Sequence, residues 1–412
     1  MYKSFFVNNS DRDRKIKYLL FFFWPFGAFI YSLRNIQSKS SRVIFFLICI
    51  AFGLCIECKN EELDMSRIAD NFLSYKNMSF VELKGIIMDS INGVGFRDLY
   101  EHILYWCVNQ ISSNEHVFWM IASMIYAFFY LKSLSFILDD KRFKSCFMGF
   151  MIVLMFTMPQ PIFSVTGLRF WTAGWLAIFC SLQIFIHNNY KYFLILLLTP
   201  FIHVTYWIYV FLVTLTFVAR LSEKLLVIIF FLSYPFSYLS MSFVSDVIGM
   251  DILPTSLERV ALSYMGEDHI EEFNRQGTGW FWVSEMFDII LNTYYLVMTC
   301  WIIKHKYMIL ERQDRYLLAF ILVVYSFANF TLVVPHLGIR YLGFVEILLP
   351  LLWFRVFGLY KYKSFIYMYL IVASFYLLWK RLVMHYSNVL DFDFLYDSSI
   401  VMLICLLYTS DA

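Results

Sequence analysis

Long apolar runs separated by short polar stretches set the rhythm of this chain. They occupy 18–33, 43–56, 117–138, 146–158, 170–186, 192–219, 225–245, 281–303, 316–334, 341–358 and 365–379. Most approach the roughly 20 residues that a helix needs to cross a hydrocarbon core. No strand-like alternation accompanies them, and in lipid only helices and closed barrels satisfy every backbone N–H and C=O. The pattern therefore predicts an all-α, polytopic transmembrane bundle of about ten to eleven spans.

Three stretches depart from a plain span. The first run carries Trp24-Pro25-Phe26-Gly27 in its middle and basic residues on both sides, which predicts a re-entrant or interfacial helix. The run 192–219 is too long for one span and too short for two, and Pro200 lies inside it; it reads as a pair of short helices that meet near His203. Segment 57–116 mixes polar and apolar residues at helical spacing (Ile68, Phe72; Leu99, Ile103, Trp106), which predicts amphipathic helices lying on the membrane face, with simple packing as their other use.

Composition agrees. Hydrophobic residues make up 60% of the chain and charged residues 16%, against about 25% charged in an ordinary soluble domain. The net charge of +2 gives no nucleic-acid footprint. Eight cysteines are scattered, mostly through apolar runs, and the single Cys55-Ile-Glu-Cys58 spacing has no second pair to complete a zinc site, so no metal and no cofactor are expected. Cys405 to Ala412, CLLYTSDA, resembles the read-through of a sequencing adapter, with the apolar run from Ile400 as the start of a further helix. Residues 1–404 are then read as one integral membrane domain.

Charge placement orients the spans. Under strict alternation the basic segments 139–144, Lys191, Arg220 with Lys224, 304–315 and 355–363 all fall on the cytoplasmic side, as the positive-inside rule requires. In 57–101 and 246–280 acidic residues outnumber basic ones, so these become the two outer loops.

Ionisable groups at membrane depth are costly and point to function. Arg169 opens a span, His203 sits at a helix break, and His336 and Arg340 lie in Pro335-His-Leu-Gly-Ile-Arg-Tyr341 between two spans. All fall on the outer side of the topology. Arginines and histidines gathered there suit a phosphate-bearing lipid, because a guanidinium grips phosphate oxygens in a fork and stays charged. Glu285 and Asp288, about one helical turn apart, and the deeper Glu346 are the acidic candidates; Arg340 is the expected partner of Glu346, and snorkelling accounts for Lys132 and Arg355. Span-end aromatics such as Trp106, Trp119, Trp280 and Trp282 read as the interfacial belt. HExxH, P-loop, GxSxG and dinucleotide signatures are absent from the sequence, and no DxD pair in it suggests a nucleotide-sugar metal site.

Several segments resemble the EpsG-like and Wzy-type bacterial polysaccharide polymerases: WPFGAFIYSLRN from Trp24, DMSRIADNFLSY from Asp64, GLRFWTAGWLAIF from Gly167, LLLTPFIHVTYWIYVF from Leu196 and GIRYLGF from Gly338. His203-Val204-Thr205 stands where a His-x-Ser pattern is common, and Thr205 keeps the hydroxyl. The resemblance implies a GT-C-like glycosyltransferase membrane domain in the bacterial inner membrane. It would join oligosaccharide repeat units carried on undecaprenyl pyrophosphate at the periplasmic face, alongside a chain-length regulator and a flippase. Arg169 and Arg340 would hold the pyrophosphate. His203 would orient or deprotonate the acceptor hydroxyl or bind a phosphate oxygen, and His336, Thr205, Glu285 and Asp288 would line the substrate. A transporter or flippase of lipid-linked sugars and a membrane O-acyltransferase are the competing readings.

The orientation is open to a direct check. With Asp268→Cys in the acidic loop, a membrane-impermeant maleimide should label intact cells; labelling only after lysis would invert the topology.

Overall fold

The computed structural model describes residues 11–57, 64–92, 98–219, 223–236, 281–305, 311–332, 337–359, 395 and 397–402. The apolar run 365–379, the 246–280 loop, Cys58, Trp280 and His336 lie outside them. The described residues are helical with no strand, numbered in chain order: α1 Asp11–Phe23, α2 Pro25–Leu33, α3 Lys39–Leu54, α4 Asp64–Ser74, α5 Phe80–Ile91, α6 Leu99–Asn109, α7 Glu115–Leu138, α8 Phe147–Thr157, α9 Leu168–His187, α10 Tyr192–Leu196, α11 Thr199–Ile202, α12 Tyr206–Ala219, α13 Glu223–Phe236, α14 Phe281–Lys304, α15 Arg312–Thr331 and α16 Leu337–Phe357.

Among these, Glu115–Leu138, Leu168–His187, Met286–Lys304 and Leu337–Phe357 are long and apolar enough to cross a membrane, and Phe147–Thr157, Tyr192–Ile202, Tyr206–Phe217 and Lys224–Phe236 are shorter apolar helices. Large side chains such as Leu194, Phe211, Leu232 and Ile289 stay exposed on them, which in an aqueous protein would be a liability and in lipid is the cheap arrangement. The chain is a helical membrane protein. The chain groups into two compact units, Met1–Val210 with Leu377–Ala412, and Phe211–Tyr376.

In the first unit α3 and α7 pack closely because Gly53 presents no side chain. A Cβ there would lie 2.6 Å from the Trp119 carbonyl oxygen and 2.6 Å from Ser123 Oγ, the kind of small-residue contact that lets helices approach in lipid. The chain breaks between α1 and α2 at Trp24, before Pro25, whose ring supplies no backbone N–H to continue the first helix. Lys17 is fully buried, yet satisfied. Its Nζ lies 2.6 Å from Asp13 Oδ2 and donates to Ser38 Oγ at 3.2 Å and Ser40 Oγ at 3.3 Å, so an ammonium with three donors meets three oxygens.

Two side chains assigned to the membrane interface sit elsewhere. Trp119 is buried against Phe118 rather than placed in an aromatic belt. Arg355, in the second unit, does not snorkel: it is buried, paired with Asp314 of α15 and 3.3 Å from Glu311. A buried cation finds a buried anion because either one alone would be uncompensated.

Arg355→Ala should therefore lower stability by about 3–5 kcal/mol by stranding Asp314, and the pair Arg355→Met with Asp314→Leu should recover most of it, as read by thermal unfolding in detergent. A double variant no better than the single one would show that the pair is not the cause.

Candidate functional site

The site is built where α9 begins. Pro159 and Pro161 end α8, a single 3₁₀ turn Ile162–Thr166 follows, and Gly167 caps α9. Tyr126 of α7 pins this turn, donating to the Pro161 carbonyl at 2.8 Å while accepting the Trp175 indole N–H at 2.8 Å. Arg169 thus emerges in the first turn of α9, where the helix dipole disfavours a cation and carboxylate partners are worth most.

Those partners come from α6. Arg169 Nη1 donates to Asp98 Oδ2 at 3.0 Å, and its Nε lies 3.1 Å from Glu101 Oε2. Asp98 occupies the N-cap position of α6 but makes no side-chain cap bond there. A capping carboxylate ordinarily contributes about 1 kcal/mol to its own helix; Asp98 gives that up to reach across to α9 and beyond. Its other oxygen, Oδ1, accepts the Val204 backbone N–H at 2.9 Å.

That N–H is available because the chain breaks at His203. After α10 and α11, the break leaves His203 extended (φ −152°, ψ 123°), and the helix resumes at Tyr206. The His203 ring meets the edge of Phe170 at 5.4 Å and 88°. Tyr206 Oη donates to the Phe170 carbonyl at 2.6 Å. Gly174 makes room for it, since a Cβ there would stand 2.8 Å from that hydroxyl. Arg169, His203 and Thr205, named from the sequence, are therefore brought together, through a carboxylate that was not named.

A second layer of α6 supports the first. Tyr105 Oη donates to Glu101 Oε1, and Tyr75, the last residue of the Asp64–Tyr75 motif, bonds His102 Nδ1. Both carboxylate oxygens of Glu101 are thus held. The expected apolar stripe of α6 is corrected here: Ile103 is exposed, while Glu101 and His102 turn inward with Leu104, Tyr105 and Val108. Pairing Arg169 outweighs burying one isoleucine, because a half-buried guanidinium without an anion is the costlier arrangement. The missed residues did leave a signal. Asp98, Glu101 and His102 are three ionisable groups within five positions at the start of a largely apolar helix.

Burial raises the Asp98 carboxyl above the 3.8 of an ordinary aspartate; the like charge of Glu101 adds to this, and the Val204 N–H and Arg169 oppose it. Burial lowers the His102 imidazole and raises the Tyr105 phenol. The positively charged hollow expected on this face is not what α6 and α9 present: two carboxylates stand against one guanidinium. Arg169 nonetheless keeps 27% of its side chain exposed.

The remaining candidates belong to the second unit. Arg340 lies in the first turn of α16 and is half-buried, as are Glu346 further along α16 and Asp288 on α14. Glu285 is on α14, its side chain outside the described residues, as is His336. Among the described residues no cluster of His, Cys, Asp or Glu has the makings of a metal site. No family model, curated protein or solved structure matches the chain, so its function rests on the chemistry of the site.

Asp98→Asn should test the bridge. The amide can still accept the Val204 N–H, so the fold should survive with a loss of about 1–3 kcal/mol from the weakened Arg169 link. In the wild type, the bridge needs an ionised Asp98. Lowering the pH through its raised pKa should weaken the Arg169 link at a pH above 3.8, visible as faster exchange of the Arg169 guanidinium protons, and this transition should be missing in Asp98→Asn.

Proposed function

We propose that the chain is a polysaccharide polymerase that transfers oligosaccharide repeat units between lipid-diphosphate carriers at the outer face of a bacterial inner membrane. The observation that carries this reading is the meeting of Arg169, a buried carboxylate and the His203 helix break at the end of an apolar span. The motif resemblance and the charge asymmetry of the loops point the same way.

In this reading the acceptor hydroxyl oxygen bonds the anomeric carbon as the bond from that carbon to the phosphate oxygen breaks, and the lipid diphosphate leaves. The proton goes to Asp98. Each of its oxygens retains a second lone pair, and burial makes it a stronger base than an exposed aspartate. Taking up that proton cancels one of the two negative charges beside Arg169. The guanidinium is released toward the leaving group as charge develops on it, an interaction that strengthens in the transition state and so accelerates the step. Arg340 would add a second cation for the diphosphate, and His336, Thr205, Glu285 and Asp288 would contact the sugars. The activated carrier supplies the driving force, so no cofactor is required.

A transporter or flippase of lipid-linked sugars, in which the same arginines bind phosphate without catalysis, is the competing reading, and it lacks the repeat symmetry between halves that such a protein would show. Purified protein incubated with lipid-linked repeat units separates them. A polymerase yields a ladder on a gel, which Arg169→Ala, Arg340→Ala and Asp98→Asn should each reduce by about 100-fold or more in rate. No ladder from the wild type, or full ladders from all three variants, would refute the assignment.

A further inference from the structure

The hydrogen bonds around His203 decide what its ring has to offer, and the inference rests on the function proposed for this site. His203 Nδ1 lies 3.3 Å from the Thr205 backbone nitrogen, whose N–H points at it, and 2.8 Å from Thr205 Oγ1. A backbone amide can only donate. Nδ1 must therefore present its lone pair, and the Thr205 hydroxyl can donate to the same nitrogen. A neutral imidazole has one N–H, so the proton sits on Nε2. The extended backbone at His203 and the Phe170 ring edge hold this arrangement in place.

We propose that His203 serves as an N–H donor, through Nε2, to an anionic phosphate oxygen of the lipid diphosphate, and that Thr205 is the positioning residue that fixes this tautomer. A ring whose Nε2 already carries the proton has no lone pair there with which to deprotonate a sugar hydroxyl. Proton removal is left to the carboxylates, and Asp98 is the one tied to the same helix break. The Thr205 hydroxyl occupies Nδ1 with a second donor. The two-residue spacing of His203 and Thr205 is required because the backbone N–H and the hydroxyl of one residue converge on one ring nitrogen.

The test uses full-length protein in nanodiscs with ¹⁵N-labelled histidine, His203 being assigned by difference from His203→Gln. In the resting protein Nδ1 should show a pyridine-type shift and Nε2 a pyrrole-type shift; the reverse pattern would overturn the proposal. Addition of a short-chain polyprenyl diphosphate should move the Nε2 resonance. A response to inorganic pyrophosphate as well would show that the phosphate oxygens alone suffice, whereas a response to neither would sink the donor role.

Glutamine places an N–H donor near the position of Nε2 but has no basic nitrogen. His203→Gln should therefore hold the polyprenyl diphosphate within a few-fold of wild type, while His203→Ala weakens it about tenfold or more. Equal losses in the two would contradict the proposal. Thr205→Val should lose part of this binding and shift the tautomer balance, and Thr205→Ser should restore both; a Thr205→Val spectrum identical to wild type would remove Thr205 from its role. The resting tautomer is read without any transfer reaction, so the expected shifts together with an absent ladder would discard the polymerase reading alone.

Discussion

A single carboxylate holds the candidate site together. Asp98 accepts from the Arg169 guanidinium with one oxygen and from the Val204 amide with the other. Three separate pieces of chain, the start of α6, the start of α9 and the break before α12, are thereby fixed to one another. The Arg169–Glu101 pair and the Tyr206 bond to the Phe170 carbonyl reinforce the same junction. The first turn of α9 repels cations, the broken helix has an orphaned donor, and the N-cap of α6 forgoes its own bond. Asp98 meets the first two deficits at the cost of the third.

The rest of the described structure follows the same logic of satisfied polar groups in an apolar setting. Lys17 is tolerated at full burial because Asp13, Ser38 and Ser40 surround its ammonium. Arg355 is tolerated because Asp314 and Glu311 face it. At the candidate site the balance is incomplete: two carboxylates crowd one guanidinium, burial raises the proton affinity of Asp98, and part of Arg169 stays exposed. Stability alone does not call for that arrangement, and it is the one the proposed proton transfer and phosphate contact would use.

The roles within the site also divide along physical lines. A ring nitrogen that accepts from a backbone amide cannot carry the proton there, so in the proposed mechanism His203 and Asp98 receive opposite roles, one as donor and one as base. His102, one residue beyond Glu101, has its Nδ1 bonded to Tyr75 and stays inside the supporting layer. Chemically similar residues a short distance apart thus serve different ends because of their hydrogen-bond partners.

Much of this was written in the sequence. The apolar runs determined helices in a membrane, Pro25 and Pro200 located the two broken runs, and Arg169 and His203 stood out because charge and helix breaks are expensive in lipid. These are local signals, carried by periodicity and by residue types whose cost depends on the solvent around them. The tertiary structure alone decided which partner each polar group found. It turned Glu101 and His102 inward against the apolar pattern of α6, buried Trp119 and Arg355 instead of leaving them at an interface, and joined Arg169 to the Val204 N–H at the helix break through Asp98. Such choices depend on contacts between residues far apart in the chain, where a pairing energy of a few kcal/mol overrides a local preference worth less than one, and periodicity along a single helix carries no trace of them.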